Sequence, residues 1–311
     1  MMTIEGKNQI LWGIDLGGTK IECAVIEWDG ENLVILARER INTEREKGYE
    51  HILSQIQKLV RSISKKLNLK PKSLGIATPG VLVPDTQLMK NSNTLCLNDQ
   101  PLKRDLENLL DIKIRMANDA NCFALAETIL GAGKLIKPEL CFGVIMGTGV
   151  GGGLVVNGKI INGLHGIGGE WGHNILEEEG YDCYCGKSGC VEQVLSGTAL
   201  EQYYHEISGE NKSMKEIVKD YRVGGNEMAN QTMERLFEYF GRAISTIINV
   251  MDPQLIVLGG GVGNIDEIYE IGYERIRKYI FNSGIVHTPI VKPLLGDSAG
   301  VFGAALLVGE L

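Results

Sequence analysis

The chain has 311 residues with 31 basic against 39 acidic side chains, and a net charge of −8 argues against a nucleic-acid or anionic-membrane surface. That length is uncomfortable for one core and predicts two domains of ordinary size, with a cleft between them. Forty glycines against eight prolines, with ordinary apolar content, point away from disorder and towards tight turns and close backbone approaches.

In chain order, Ile10 to Ile14 and Ile21 to Trp28 read as two strands around the turn Asp15-Leu16-Gly17-Gly18-Thr19-Lys20, with a third from Leu33 to Arg38. Ile52, Ile56, Leu59, Val60 and Ile63 recur at helical spacing, and the apolar strand Leu74 to Ala77 enters Thr78-Pro79-Gly80. A helix from Leu102 to Leu110 leads to a strand from Ile112 to Ala117, giving the order β-β-β-α-β-α-β of an α/β lobe. Asn118-Asp119-Ala120-Asn121 opens the next helix, which runs to about Leu130. Asp119 at this junction is helped by the helix dipole to stay ionised, which suits a proton acceptor. An Asp opening a helix equally serves as its N-cap, and the local residues leave both readings open.

Phe142 to Met146 and Gly153 to Val156 then repeat the opening design around a glycine turn at 147–153. Two such turns, one per lobe, offer backbone N–H groups to one polyphosphate across a cleft. Neither matches a P-loop or a dinucleotide fingerprint, and each alone is a weak signal. Met233, Leu236, Phe237, Phe240, Ile244, Ile247, Ile248 and Met251 form a helical core stripe ended by Asp252-Pro253. The strand Leu255 to Leu258 runs into a loop, Gly259-Gly260-Gly261, where a base or ribose can approach backbone, and Ala299 to Leu311 reads as a small-residue helix without a legible partner.

Of seven cysteines, Cys23, Cys96, Cys122 and Cys141 lie in apolar contexts without framework spacing, which reads as a reducing cytosol. The start, Met1 to Glu5, lacks the pattern of a secretory leader, and no apolar run approaches membrane-spanning length, so the expectation is a cytoplasmic protein without membrane partners. The other three cysteines stand close together. His173 followed by Cys183, Cys185 and Cys190 supplies one imidazole and three thiols at short, turn-rich spacing, enough to close a tetrahedral zinc shell. A closed shell has no place for a catalytic water, so such a zinc is structural. Glu170 stands three residues before His173 and Glu192 two residues after Cys190, so a metal-pinned loop holds two carboxylates in fixed positions.

Together, the Asp15–Lys20 turn, Asn118-Asp119-Ala120-Asn121, the Gly147–Gly153 run, Gly169-Glu170-Trp171-Gly172-His173 and the Cys183–Glu192 stretch resemble the ROK family of sugar kinases and repressors. The resemblance spans nearly the whole chain and is nearest to bacterial fructokinases, manno(fructo)kinases and N-acetylglucosamine kinases. It implies an α/β, actin-like ATPase (ribonuclease H-like) fold of two lobes around a cleft: 1–117 rejoined by 297–311, and 118–296 carrying the zinc loop. It also implies ATP contacts at Asp15, Gly17, Gly18, Thr19, Gly147, Thr148 and Gly149, with Gly259, Gly260 and Gly261 against the adenosine. Sugar contacts follow at Gly80, Asn93, Asn118, Asp119, Glu170, His173 and Glu192, with Asp119 as catalytic base.

The activity so implied is ATP- and Mg²⁺-dependent phosphorylation of a hexose at the 6-hydroxyl: fructose, mannose, glucose or N-acetylglucosamine. Its partners are the sugar and ATP, and the protein is expected to be a homodimer that binds no nucleic acid. The alternative is a sugar-sensing regulatory protein of the same family without kinase activity. Repressors of the family carry a helix-turn-helix before the Asp-x-Gly-Gly-Thr turn, and the fourteen residues ahead of Asp15 are too few to hold one plus the first strand.

Overall fold

The computed structural model describes residues 8–309. They fall into two compact units: 8–137, 154–168 and 294–309 form the first, and Pro138–Gly153 with Gly169–Pro293 the second. The first seven residues and residues 310 and 311, the last two of the expected final helix, lie outside the described residues.

In the first unit β1 (Gln9–Leu16), β2 (Lys20–Trp28) and β3 (Leu33–Asn42) form the antiparallel half of a sheet. The helix α1 (Tyr49–Leu67) follows, burying Ile52, Ile56, Leu59, Val60 and Ile63, the stripe its spacing predicts. The strand β4 (Ser73–Thr78) pairs parallel with β1. A small ribbon of β5 (Val81–Leu82) and β6 (Met89–Lys90) and the helix α2 (Leu102–Leu110) lead to β7 (Lys113–Asn118), parallel to β4. The sheet order is β3-β2-β1-β4-β7, and the register sets Asp15 beside Ala77 and Thr78 beside Asn118. The carboxyl ends of three adjacent parallel strands therefore carry Asp15, the Gly80 loop and Asp119, the edge at which open α/β sheets bind ligands.

The helix α3 (Asp119–Ile129) and the C-terminal α10 (Ala299–Leu306) cover this sheet. Three glycines make the cover possible. A Cβ on Gly13 would lie 2.3 Å from the Val301 carbonyl oxygen, one on Gly75 1.7 Å from that of Ala304, and one on Gly303 1.9 Å from that of Cys122. The backbone of α10 rests directly on β1, β4 and α3, a partnership set by contacts across nearly the whole chain. It also explains why α3 belongs to the first unit and not, as the sequence suggested, to the second.

In the second unit β8 (Leu140–Met146) and β9 (Val150–Val156) form one hairpin; β9 runs on into the first unit, where its end pairs with β10 (Lys159–Ile160). The glycine turn is shorter than expected, because the strand already begins at Val150. Gly152 serves the strand by its lack of a side chain, since a Cβ there would strike the Trp171 ring at 2.5 Å. Beyond the cysteine loop come α4 (Glu192–Leu195), α5 (Gly197–Ser208), α6 (Met214–Val223) and the 25-residue α7 (Glu227–Met251). The last buries the predicted stripe from Met233 to Ile248 and stops at Asp252, held in the left-handed region at φ 45° ahead of Pro253. The strand β11 (Leu255–Gly259) lies parallel to β8; the expected Gly259–Gly261 loop is instead mostly a helical turn, α8 (Gly260–Gly263). After α9 (Ile271–Ile276) the short β12 (Ile290–Val291) completes the sheet order β10-β9-β8-β11-β12.

Candidate functional site

Asp15 ends the inner strand β1 against α10, where a Cβ on Gly300 would lie 2.6 Å from its Oδ2. Burial raises its pKa to about 7, with Asp119 and Glu22 adding to the effect and Arg40 opposing it. Two interacting carboxyls thus stand at one sheet edge. The cap of α3 is Asn118: its Oδ1 accepts the Asn121 N–H at 2.8 Å. Asp119 is the first helical residue, with Oδ1 2.8 Å from the Ala120 N–H. Its surface is open to solvent, yet the surrounding protein desolvates the carboxyl and holds it above the usual carboxylate range, against the pull of backbone N–H groups.

The expected glycine of the neighbouring loop is fixed by contact as well. The Thr78 hydroxyl donates to the Gly80 carbonyl at 2.9 Å, and a Cβ on Gly80 would meet the Lys90 oxygen at 2.7 Å. Farther along, Asn98 exchanges two hydrogen bonds with the Ser92 backbone, leaving Asn93 exposed at the tip.

In the second unit the turn Gly147–Gly149 closes through Gly147 N–H to the Gly149 oxygen at 2.9 Å. Glu192, at the start of α4, accepts the Val150 N–H at 2.9 Å, and a Cβ on Gly149 would lie 2.5 Å from its Oε2. Gly147, Thr148, Gly261 and Val262 line a cavity of about 620 Å³ together with Glu201, Met214 and Lys215, within the size range of small-molecule sites. Nothing lies within 4 Å of a Cβ on Gly261, so backbone is open there.

His173, Cys183, Cys185 and Cys190 offer ligand atoms that all lie within 4.8 Å of one another. Cys183 Sγ is 3.5 Å from His173 Nδ1, and Cys185 Sγ is 3.6 Å from Cys190 Sγ. A tetrahedron with zinc–sulfur bonds of about 2.3 Å has edges of roughly 3.7 Å, so the donor set fits zinc in kind and in spacing. Burial and the neighbouring thiols push the Cys190 thiol up to about 12, a proton that a bound cation would displace. The outer contacts are equally built. Tyr184 Oη lies 3.1 Å from His173 Nε2, and Lys187 Nζ donates to the His173 carbonyl at 2.5 Å. Gly189, at φ 68°, sits where a Cβ would be 1.6 Å from the Glu177 oxygen, while the Glu177 carboxylate takes Arg235 bidentately and ties the loop to α7.

The ROK family profile matches residues 11–310. The chain belongs to the ROK family. An N-acetyl-D-glucosamine kinase of Pectobacterium carotovorum is 36% identical over 307 residues, covering 95% of this chain and 98% of the relative. The ROK hexokinase of Thermus thermophilus superposes with a TM-score of 0.86 at 31% identity over 96% of this chain and 97% of that one. A ROK glucokinase from Streptomyces griseus, solved with glucose and AMPPNP, gives 0.77 at 26% identity over 96% and 99%. The architecture is the two-lobed actin-like ATPase fold of the ROK sugar kinases.

Against this ROK scaffold, each expected site residue has a definite place. The first unit carries Asp15, Gly17, Gly18, Thr19, Gly80, Asn93, Asn118 and Asp119; the second carries Gly147, Thr148, Gly149, Glu170, Glu192, Gly259 to Gly261 and the four cluster residues. Two features escaped the sequence reading. Tyr184 occupies the second imidazole nitrogen, and its place between two cluster cysteines was the available signal. Glu201, Met214 and Lys215 reach the 620 Å³ cavity from α5 and α6, which no local pattern announced.

Proposed function

We propose that this ROK protein is an ATP-dependent hexose kinase that phosphorylates the 6-hydroxyl of fructose, mannose, glucose or N-acetylglucosamine. The observation that carries the reading is Asp119: it is relieved of capping by Asn118, open to solvent, and raised in pKa, as a general base should be. As the sugar oxygen attacks the γ-phosphorus, Asp119 accepts its proton and the bond to the bridging oxygen of ADP breaks. In the first unit Gly80, Asn93 and Asn118 are the proposed sugar contacts, and the Gly17–Thr19 turn a phosphate seat. In the second unit Glu170, His173 and Glu192 are the proposed sugar contacts, Gly147–Gly149 the other phosphate seat, and the cavity beside Gly259–Gly261 the adenosine seat.

Magnesium accompanying ATP would supply neutralising charge to the phosphates, and Asp15, a hard oxygen donor at the first turn, is the residue that would hold it. The zinc set supplies folding energy and fixes the loop that bears His173 and Glu192. The proposed protein is a cytoplasmic homodimer; among the described residues no helix is long and apolar enough to cross a membrane. ADP release measured over the four sugars tests the reading. Turnover with at least one is expected, and sugar binding without turnover would instead favour the sugar-sensing regulator.

A further inference from the structure

Beside the first glycine turn stands a cation that none of the roles above employs. The turn is tied to the end of β3: Thr43 N–H donates to the Thr19 oxygen at 2.9 Å, and the Thr43 hydroxyl to the Gly17 oxygen at 2.7 Å. The next residue, Glu44, is held in the left-handed region at φ 51°, a conformation that costs a non-glycine residue energy and reverses the chain. That reversal brings Arg45 back over the turn. A Cβ on Gly18 would lie 3.1 Å from Arg45 Nη1 and 3.3 Å from Thr94 Oγ1. Gly18 has no positive φ, so what it provides is room for these two groups.

Neither group is neutralised by its surroundings. Glu44 and Glu46 flank Arg45 in sequence; Glu44 turns its carboxylate to Lys47 at 2.8 Å and His51 at 2.7 Å, and among the described residues no carboxylate, that of Glu46 included, pairs with Arg45. The Arg45 carbonyl accepts a weak 3.8 Å contact from Cys96 Sγ, which ties its backbone to the loop that carries Thr94. Thr94 is 1% exposed, and among the described residues its hydroxyl has no hydrogen-bond partner. A strained backbone, an unpaired guanidinium and an orphaned buried hydroxyl thus meet at one glycine.

We propose that Arg45 is a catalytic residue of the kinase reaction, its guanidinium holding the phosphoryl group transferred at the Gly17–Gly18 turn, with the Thr94 hydroxyl as a supporting donor. Charge in phosphoryl transfer spreads over three equatorial oxygens, and a planar group with five N–H donors matches them. Arg45 neither gains nor loses a proton. The proton still passes from the sugar hydroxyl to Asp119, and only the bonds to phosphorus change. The proposal rests on the kinase reading.

Arg45→Gln is expected to lower turnover by about 10²- to 10³-fold. By calorimetry it should weaken a non-hydrolysable ATP analogue by about tenfold or more, because a charged hydrogen bond to the γ-phosphate is lost. ADP affinity should stay within about twofold on the same ground, and the melting temperature should not move, since Arg45 is exposed. Arg45→Lys should recover only part of the rate. Wild-type turnover in Arg45→Gln, or analogue and ADP affinities falling together, would overturn the proposal. Thr94→Val should lower turnover without lowering the melting temperature, because it deletes an unpaired hydroxyl; a less stable variant removes Thr94 from the proposal. If the wild-type protein phosphorylated no hexose, the kinase reading would fail, while the analogue-against-ADP comparison would still decide Arg45.

Discussion

The two glycine turns share a sequence design, strand then Thr-Gly tip then strand, and differ in the charges built around them. The first is edged by groups left uncomfortable: Asp15 and Asp119 both raised by desolvation, and Arg45 without an acid partner among the described residues. The second is braced. Glu192 gives one carboxylate oxygen to the Val150 N–H and stands two residues after Cys190, the last residue of the cysteine cluster. Similar tips therefore do not imply similar energetics, and the unsatisfied one is where chemistry is expected.

The largest effect should come from the first turn. Asp119→Asn keeps size and most hydrogen bonding but cannot take a proton, so turnover should fall by at least about 10²-fold while sugar and nucleotide still bind. Near-wild-type turnover would remove Asp119 from the mechanism and, with it, the contrast between the two turns.

On the braced side, Cys185→Ser should lower both zinc content and melting temperature, read by metal analysis and calorimetry, because a structural site contributes folding energy. Glu192 gives a finer probe. Glu192→Ala removes a proposed sugar contact and also frees the Val150 N–H, so it should weaken both sugar and ATP. Glu192→Gln keeps an acceptor for that N–H, and its ATP affinity should remain within about threefold of wild type, with sugar affinity still reduced. Equal losses of ATP in both variants would show that the brace is not what supports the second turn.

The smallest effect is a matter of pH. Asp15 titrates near 7 when folded against 3.8 ordinarily, so its contribution to stability is complete below about pH 4 and is lost as pH rises through 7. Asp15→Asn carries no such loss. Its melting temperature should match wild type near pH 4 and exceed it at pH 8. A variant less stable at pH 8 would mean that Asp15 is satisfied and the first turn is not strained.

Much of this was legible because it is local. The α1 and α7 stripes, the strand ends and the cysteine spacing are each set by residues within a turn or two of one another. What the sequence did not disclose depends on distant backbone. The partner of α10 follows from Gly13, Gly75 and Gly303, whose purpose is visible only once helix and sheet are in contact. The choice between Asn118 and Asp119 as cap turns on one dihedral, which composition does not encode. Arg45 and Gly18 are separated by the whole β2–β3 hairpin, and nothing in the 43–45 stretch announces that its chain reverses.

The seam of α10 against β1 and β4 also imposes an order on the making of the protein. The first sheet is complete in sequence by Asn118, yet one face waits for residues 299–306, and the whole second unit lies between. On the ribosome the second unit, continuous from Gly169 to Pro293 apart from its opening hairpin, has all its residues before the first can be sealed. The half of the molecule begun earliest is therefore the last to close, and until then the backbone at Gly13 and Gly75 stays uncovered.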